Sequence, residues 1–213
     1  MSGIHLDSAN YNHLVRRITD RNANVFAPQL LLWDTEKYGN PRNRAETDGK
    51  LRQLGGTVTA LELYFTIGAI NRFIINEKIN ENRIGVAGMS YGGMYALFLA
   101  AIDTRIKACY SCSWVCDCFE YSWEDWSYQN AQYRFTTAEV AALVCPRALF
   151  VAMGNADNLF DYKLTEKTCK SILEFYRKFD ADKQFAIKIF DGTHEIDKDD
   201  VEIDFLIDKL KIE

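Results

Sequence analysis

Short, uninterrupted apolar runs alternate along this chain with longer segments whose apolar residues recur at helical spacing. The runs at 84–87 (Ile84-Gly85-Val86-Ala87), 106–111, 148–153 (Ala148-Leu149-Phe150-Val151-Ala152-Met153) and 185–190 read as strands. Between them, residues 93–101, 161–179 and 197–212 read as helices, the last amphipathic. Gly55-Gly56-Thr57 opens a long apolar helix from 58 to about 76. Nearer the N-terminus, 11–22 reads as an amphipathic helix with Leu14, Val15 and Ile18 on one face, and 24–28 as a short strand. Residues 29–55, with Gly39-Asn40-Pro41-Arg42-Asn43-Arg44, are polar and turn-rich, a candidate binding loop too long for a plain connector. Residues 114–136 are aromatic-rich and helical in part. Strands that are apolar throughout, alternating with helices, predict an α/β fold whose mostly parallel sheet is flanked by helices.

Length and charge narrow the picture. A chain of 213 residues suits a single domain, 1–213, and can bury about 70% of its unfolded surface. No internal repeat, low-complexity tract or linker interrupts it. A net charge of −5, a pI near 5.3 and no basic run argue against a nucleic-acid partner. The longest uninterrupted apolar stretches, such as 96–102, fall short of the roughly 20 residues of a membrane span. Met1-Ser2-Gly3-Ile4-His5-Leu6-Asp7 has no basic stretch followed by an apolar one, unlike a signal peptide. A cytoplasmic chain with no membrane partner is expected.

Six cysteines include the cluster Cys109, Cys112, Cys116 and Cys118. Zinc sites present two short loops separated by a longer spacer, whereas Cys109 and Cys112 fall in a strand that reads as buried. Reduced, partly buried thiols are expected, with no metal and no cofactor.

Chemistry enters at Gly88-Met89-Ser90-Tyr91-Gly92, a G-x-S-x-G pattern set between the strand at 84–87 and the helix at 93–101. That is the context of a nucleophile elbow, where a sharp strand-to-helix turn lifts a serine hydroxyl above the sheet. Side chains at the flanking glycines are expected to collide with the neighbouring strand and helix. A serine needs a histidine to remove its proton, and that histidine needs a carboxylate to fix its tautomer. Of the three histidines, His5 and His13 precede the elbow, His13 at the surface of the first helix. His194, in Phe190-Asp191-Gly192-Thr193-His194-Glu195, follows the last strand at the edge where the elbow also opens. Asp157, in Gly154-Asn155-Ala156-Asp157-Asn158-Leu159-Phe160, follows the strand before it. Its plainer role is as a turn or cap residue, but Asp161 is the better N-cap for the helix at 161–179. Asp191 is a second candidate acid, on the same loop as His194.

The stretches Arg83 to Gly93, Leu143-Val144-Cys145-Pro146-Arg147-Ala148-Leu149-Phe150-Val151, Gly154 to Phe160 and Phe190 to Glu195 resemble the α/β-hydrolase superfamily. The likeness is to its dienelactone-hydrolase and acetyl-xylan-esterase-like members, and also to the catalytic domain of prolyl oligopeptidases. It covers about residues 10–212. The resemblance implies the α/β-hydrolase fold and a serine carboxylic-ester hydrolase with Ser90 as nucleophile, Asp157 as acid and His194 as base. It also implies an oxyanion hole with the Tyr91 backbone N–H as one donor and a second from a loop after a third strand.

Members of that superfamily carry strands and an oxyanion loop, often with His-Gly, ahead of the helix placed here at 11–22. In their strand order a third strand lies between those placed here at 25 and at 84. Only about ten residues precede this helix, and they do not read as buried strands. An N-terminally abbreviated member is therefore expected. It could be a fragment, a minimal sheet with the strand at 25 paired to the elbow strand, or a sheet completed by another subunit. A backbone N–H in Gly3-Ile4-His5 is a candidate second donor.

Trp114, Trp123 and Trp126, with Phe119, Tyr121, Tyr128 and Tyr133, fall where the family's active site is overhung. They are candidate substrate contacts, although their plainer role is packing of helices against the sheet. The expected partner is a small-molecule ester, an acylated carbohydrate among the candidates, and a homo-oligomer is left open. Two other readings stand beside this one. A peptidase of prolyl-oligopeptidase type would need a propeller domain this chain lacks, and a non-catalytic binding protein could share the fold.

Overall fold

Strands β2 (Ile106–Cys112) and β3 (Ala148–Gly154) are buried along almost their whole length, as strands covered on both faces must be. The computed structural model describes residues 9–30, 44–117, 121 and 134–211. Within these, β1 (Ile84–Met89), β2, β3 and β4 (Phe185–Phe190) form one parallel sheet in the order β1-β2-β3-β4. Met89, Cys112, Ala152 and Lys188 lie in one row across it, so the chain leaves β1, β2, β3 and β4 at a common edge. The four apolar runs thus lie where the pattern predicts strands, and the α/β expectation holds.

Two layers of helices cover the sheet. On one side α4 (Tyr91–Ile102) packs on β1 and β2, and α6 (Tyr162–Lys178) on β3 and β4, with α5 (Thr137–Ala142) against both helices. Helix α4 is apolar nearly all round and buries Met94, Tyr95, Ala96, Leu97, Leu99 and Ala100. Helix α6 is amphipathic: Thr165, Thr168, Cys169, Ile172 and Tyr176 form its buried stripe. Asp161 caps it by accepting the Lys163 N–H at 2.9 Å, and Arg177 and Lys178 occupy its last turn. On the other side α7 (Val201–Asp208) packs on β2 and β3, and α1 (Leu14–Thr19) on α7. Leu14, Ile18, Ile203 and Leu206 join Ala108, Tyr110, Cys112 and Phe150 in one buried cluster there.

The chain divides into two compact units. Residues 1–25, 79–117 and 137–213 make the first, which holds the sheet; residues 26–78 and 118–136 make the second. In the second, α2 (Arg44–Gln53) and α3 (Val58–Glu77) are joined through polar contacts. The Asp48 carboxylate accepts the Val58 N–H at 2.8 Å, Thr57 caps α3 through the Ala60 N–H, and Arg44 forks onto buried Glu62 with both contacts at 2.8 Å.

Several expectations need correction here. Residues 24–28 form no strand; this stretch has no regular structure, and Pro28 could not donate to a ladder. Direct pairing of such a strand with β1 is therefore absent, and among the described residues β1 lies at an edge of the sheet. The stretch at 29–55 is not all loop, since α2 occupies its end. Its Arg-Ala-Glu-Thr-Asp-Gly-Lys-Leu-Arg-Gln sequence has no apolar stripe, and it is held instead by Asp48 and by the i,i+4 pairs Glu46–Lys50 and Asp48–Arg52. The terminal helix starts four residues late, because Asp197 and Asp199 turn toward Lys188. Helix α3 is, by length and composition alone, long and apolar enough to cross a membrane. Counting uninterrupted runs overlooked it, because Glu62 and Arg72 break its apolar sequence.

Candidate active site

The turn at the end of β1 puts Ser90 at φ 56° and ψ −121°, a strained conformation for a residue with a side chain. The strain is held by hydrogen bonds on both sides. Ser90 N–H donates to Cys112 O at 2.9 Å, and Ser90 O accepts the Met94 N–H at 2.9 Å, which starts the α4 ladder. A Cβ on Gly88 would lie 2.1 Å from Gly92 O, and one on Gly93 would lie 2.6 Å from Cys112 O. Gly92 itself has open space, so the expectation of a collision there is wrong. Gly92 contributes the backbone that crowds Gly88. Tyr91 opens α4, so its N–H belongs to the first turn, above the intrahelical ladder.

Asp157 leaves the end of β3 and His194 the end of β4, and the structure brings them together: Asp157 Oδ2 and His194 Nδ1 are 2.8 Å apart. The other carboxylate oxygen accepts the Leu159 N–H at 2.8 Å and the Phe160 N–H at 3.1 Å. Asp157 is thus both a turn residue and a partner of His194. Its side chain is fully enclosed and that of His194 is 14% exposed. Burial alone would raise the Asp157 pKa, but the bonds from His194, Leu159 and Phe160 outweigh it and hold the carboxyl below its ordinary range. An ionised carboxylate only accepts, so Nδ1 is the donor in this pair, and in the neutral imidazole that leaves the lone pair on Nε2. Buried Phe160 stacks on the imidazole with ring centres 5.8 Å apart. Asp191, the second candidate acid, is exposed and does not hold His194.

The two loops are sewn together by their backbones. Asn155 N–H donates to Phe190 O at 2.8 Å and Ala156 N–H to Gly192 O at 2.9 Å. The approach is so close that a Cβ on Gly154 would lie 2.3 Å from Thr193 O. Beneath the loop the Cys112 thiol donates to Glu195 O at 3.3 Å, and burial pushes this thiol up to about 12. Sequence reading passed over Gly154, Phe160 and Cys112 in these roles, although Gly154 and Phe160 bracket the stretch that drew attention to Asp157.

Trp114 is buried and meets Phe98 edge-on at 5.9 Å, leaving little surface for a ligand. Trp123, Trp126, Phe119, Tyr128 and Tyr133 lie outside the described residues, as do Cys118 and Gly3-Ile4-His5. His13 is exposed just before α1. Cys109, Cys112, Cys116, Cys145 and Cys169 are free thiols. Among the described residues no group of three His, Cys, Asp or Glu side chains is placed to hold a metal ion.

Comparison with known proteins places this geometry in context. No family model matches the chain. A curated protein of Bacillus subtilis (strain 168), named "Putative hydrolase YtaP", is 26% identical over 157 residues, 69% of this chain and 52% of the relative. Among solved structures, a glucuronoyl esterase from Solibacter usitatus superposes with a TM-score of 0.58 at 16% identity, covering 72% of this chain and 48% of that one. A structure described as a "putative acetyl xylan esterase" from Bacteroides fragilis NCTC 9343 gives 0.58 at 16% identity, covering 82% and 50%. The chain spans about half the length of the curated relative it matches. These likenesses establish the α/β-hydrolase fold.

Proposed function

We propose that this chain of α/β-hydrolase fold is a serine hydrolase that cleaves carboxylic esters, with Ser90 as nucleophile, His194 as base and Asp157 as the acid that orients it. The observation carrying this reading is the 2.8 Å contact of Asp157 with His194 Nδ1, at the same sheet edge as the strained, positive-φ Ser90. With Nδ1–H committed to Asp157, the Nε2 lone pair takes the Ser90 proton as Oγ attacks the ester carbonyl. The carbonyl oxygen becomes an oxyanion, stabilised in part by the Tyr91 backbone N–H. Collapse expels the alcohol, which leaves with the proton from Nε2. Water then attacks the acyl-enzyme, His194 takes its proton, and the acid departs as Ser90 is restored.

The substrate class inferred is an ester borne by a carbohydrate. Its support is the names of the structural relatives, a glucuronoyl esterase and a "putative acetyl xylan esterase", rather than any pocket residue. Turnover of p-nitrophenyl acetate tests the chemistry. Hydrolysis by the wild type, lost in Ser90→Ala and in His194→Ala, is expected. A rate untouched by Ser90→Ala would remove Ser90 as the nucleophile, whereas no turnover by the wild type would favour a fold used for binding.

A further inference from the structure

Residues 195–200, which follow His194, have no helix or strand of their own, so their polar backbone groups must be satisfied from elsewhere. Several of the partners come from the turn that opens α1 and from α1 itself. Asn10 O accepts the Ile196 N–H at 2.7 Å. The Asn12 amide donates to Glu195 Oε2 at 3.1 Å and also to Ile196 O. Arg17 reaches furthest: Nη1 donates to Asp197 O at 2.7 Å, Nη2 to Asp199 O, and Nε to Asp200 Oδ1 at 2.8 Å. Its side chain is 15% exposed, so these contacts are partly shielded from water.

The turn supplying Asn10 and Asn12 is itself strained. Asn12 and His13 are consecutive left-handed residues, at φ 41° and 55°, and neither is glycine. Such a turn persists only where its surroundings over-determine it. On the other side of His194, the bonds of Asn155 and Ala156 to Phe190 O and Gly192 O fix the chain to the Asp157 loop. His194 therefore sits between two fastenings, one shared with Asp157 and one supplied by the start of α1.

We propose that Arg17 and Asn12 are positioning residues for His194, holding residues 195–200 so that the imidazole stays on Asp157. This rests on the serine-hydrolase reading above. Neither side chain touches the reacting atoms in this account; both act through the backbone after His194. Arg17 is suited to the task because one guanidinium fork serves two carbonyls and a carboxylate together, which a lysine cannot do.

The test compares wild type, Arg17→Lys, Asn12→Gly and Arg105→Ala, each confirmed folded by circular dichroism and assayed well below its melting temperature. Asn12→Gly keeps the left-handed backbone and removes only the amide, so it guards against a folding defect in the arginine variant. Arg105, which pairs with Asp103 and Glu81 just before β2, at the sheet edge opposite Ser90, is the control. The readouts are kcat and KM for p-nitrophenyl acetate and the rate at which a fluorophosphonate labels Ser90. Misplacing a catalytic group by about 1 Å can cost about 100-fold. Arg17→Lys and Asn12→Gly are expected to lower kcat and the labelling rate about 10-fold or more, with KM within about twofold and Arg105→Ala unchanged. Lower melting temperatures with kcat and labelling intact would overturn the proposal and leave a purely structural clamp, while the serine-hydrolase reading stood. A wild type that neither turns over ester nor labels at Ser90 would overturn both.

Discussion

Asp157 and His194 stand 37 residues apart in the chain, yet Asp157 Oδ2 lies 2.8 Å from His194 Nδ1 while its Oδ1 holds two backbone N–H groups of its own loop. One carboxylate thus fixes the turn after β3 and the imidazole after β4 together. Packing, turn geometry and proton chemistry converge on a single side chain.

Asp157→Asn separates those roles. The amide oxygen can still accept the Leu159 and Phe160 N–H groups, but the amide nitrogen facing Nδ1 favours the wrong tautomer. A fall in kcat of about 10⁴-fold is expected from the same change in a known Ser-His-Asp enzyme, with near-normal circular dichroism. A fall below tenfold would mean that His194 is oriented by something else.

The same carboxylate should leave its mark on acid stability. Its folded pKa is depressed, so its stabilising contribution is complete above the unfolded value of about 3.9 and is lost as pH falls through the folded value. Urea unfolding of wild type and Asp157→Asn should therefore differ by a constant amount above about pH 5 and converge in more acid solution. A gap that widened on acidification would contradict the assigned direction.

The glycines of the elbow are predicted to behave unequally. In Gly88→Ala the new methyl meets the Gly92 backbone at 2.1 Å, where no side chain can swing aside. A loss of about 3 kcal/mol or more is expected. Gly92→Ala meets nothing within 4 Å and removes a glycine from α4, so stability should hold or rise by about 0.5 kcal/mol. Melting temperatures of the two variants decide this, and equal losses would mean the elbow is built differently.

Lys188 carries a third kind of load. Its Nζ lies 2.5 Å from Asp197, 3.0 Å from Asp199 and 3.3 Å from buried Glu202. Burial and neighbouring Asp197 raise the Glu202 pKa, so the lysine offsets a crowd of carboxylates. Lys188→Met should cost about 3 kcal/mol near neutral pH, the lower end for a broken buried pair because Lys188 keeps some exposure. The deficit should shrink as acid protonates Glu202. Urea unfolding within 0.5 kcal/mol of wild type would show the cluster to be well solvated.

What the sequence made legible, and what it hid, follows from how each element is held. The strands at 84–87, 106–111, 148–153 and 185–190 could be read because a strand covered on both faces must be apolar throughout. Ser90, Asp157 and His194 drew attention because each stands just past such a run. Helix α2 escaped because ion pairs and the Asp48 cap hold it in place of an apolar stripe. Residues 24–28 misled in the opposite way, having strand-like side chains but no ladder to join. Arg17 left no trace, since its partners are mostly backbone carbonyls some 180 residues away, and any residue can supply a carbonyl.

Covalent labelling tests the central claim most directly. Folded wild type is treated with a fluorophosphonate and digested, and the modified residue is located by mass spectrometry, with Ser90→Ala and His194→Ala in parallel. The account predicts one adduct, on Ser90, absent in Ser90→Ala and strongly slowed in His194→Ala. An unlabelled wild type, or an adduct formed at the same rate without His194, would contradict it.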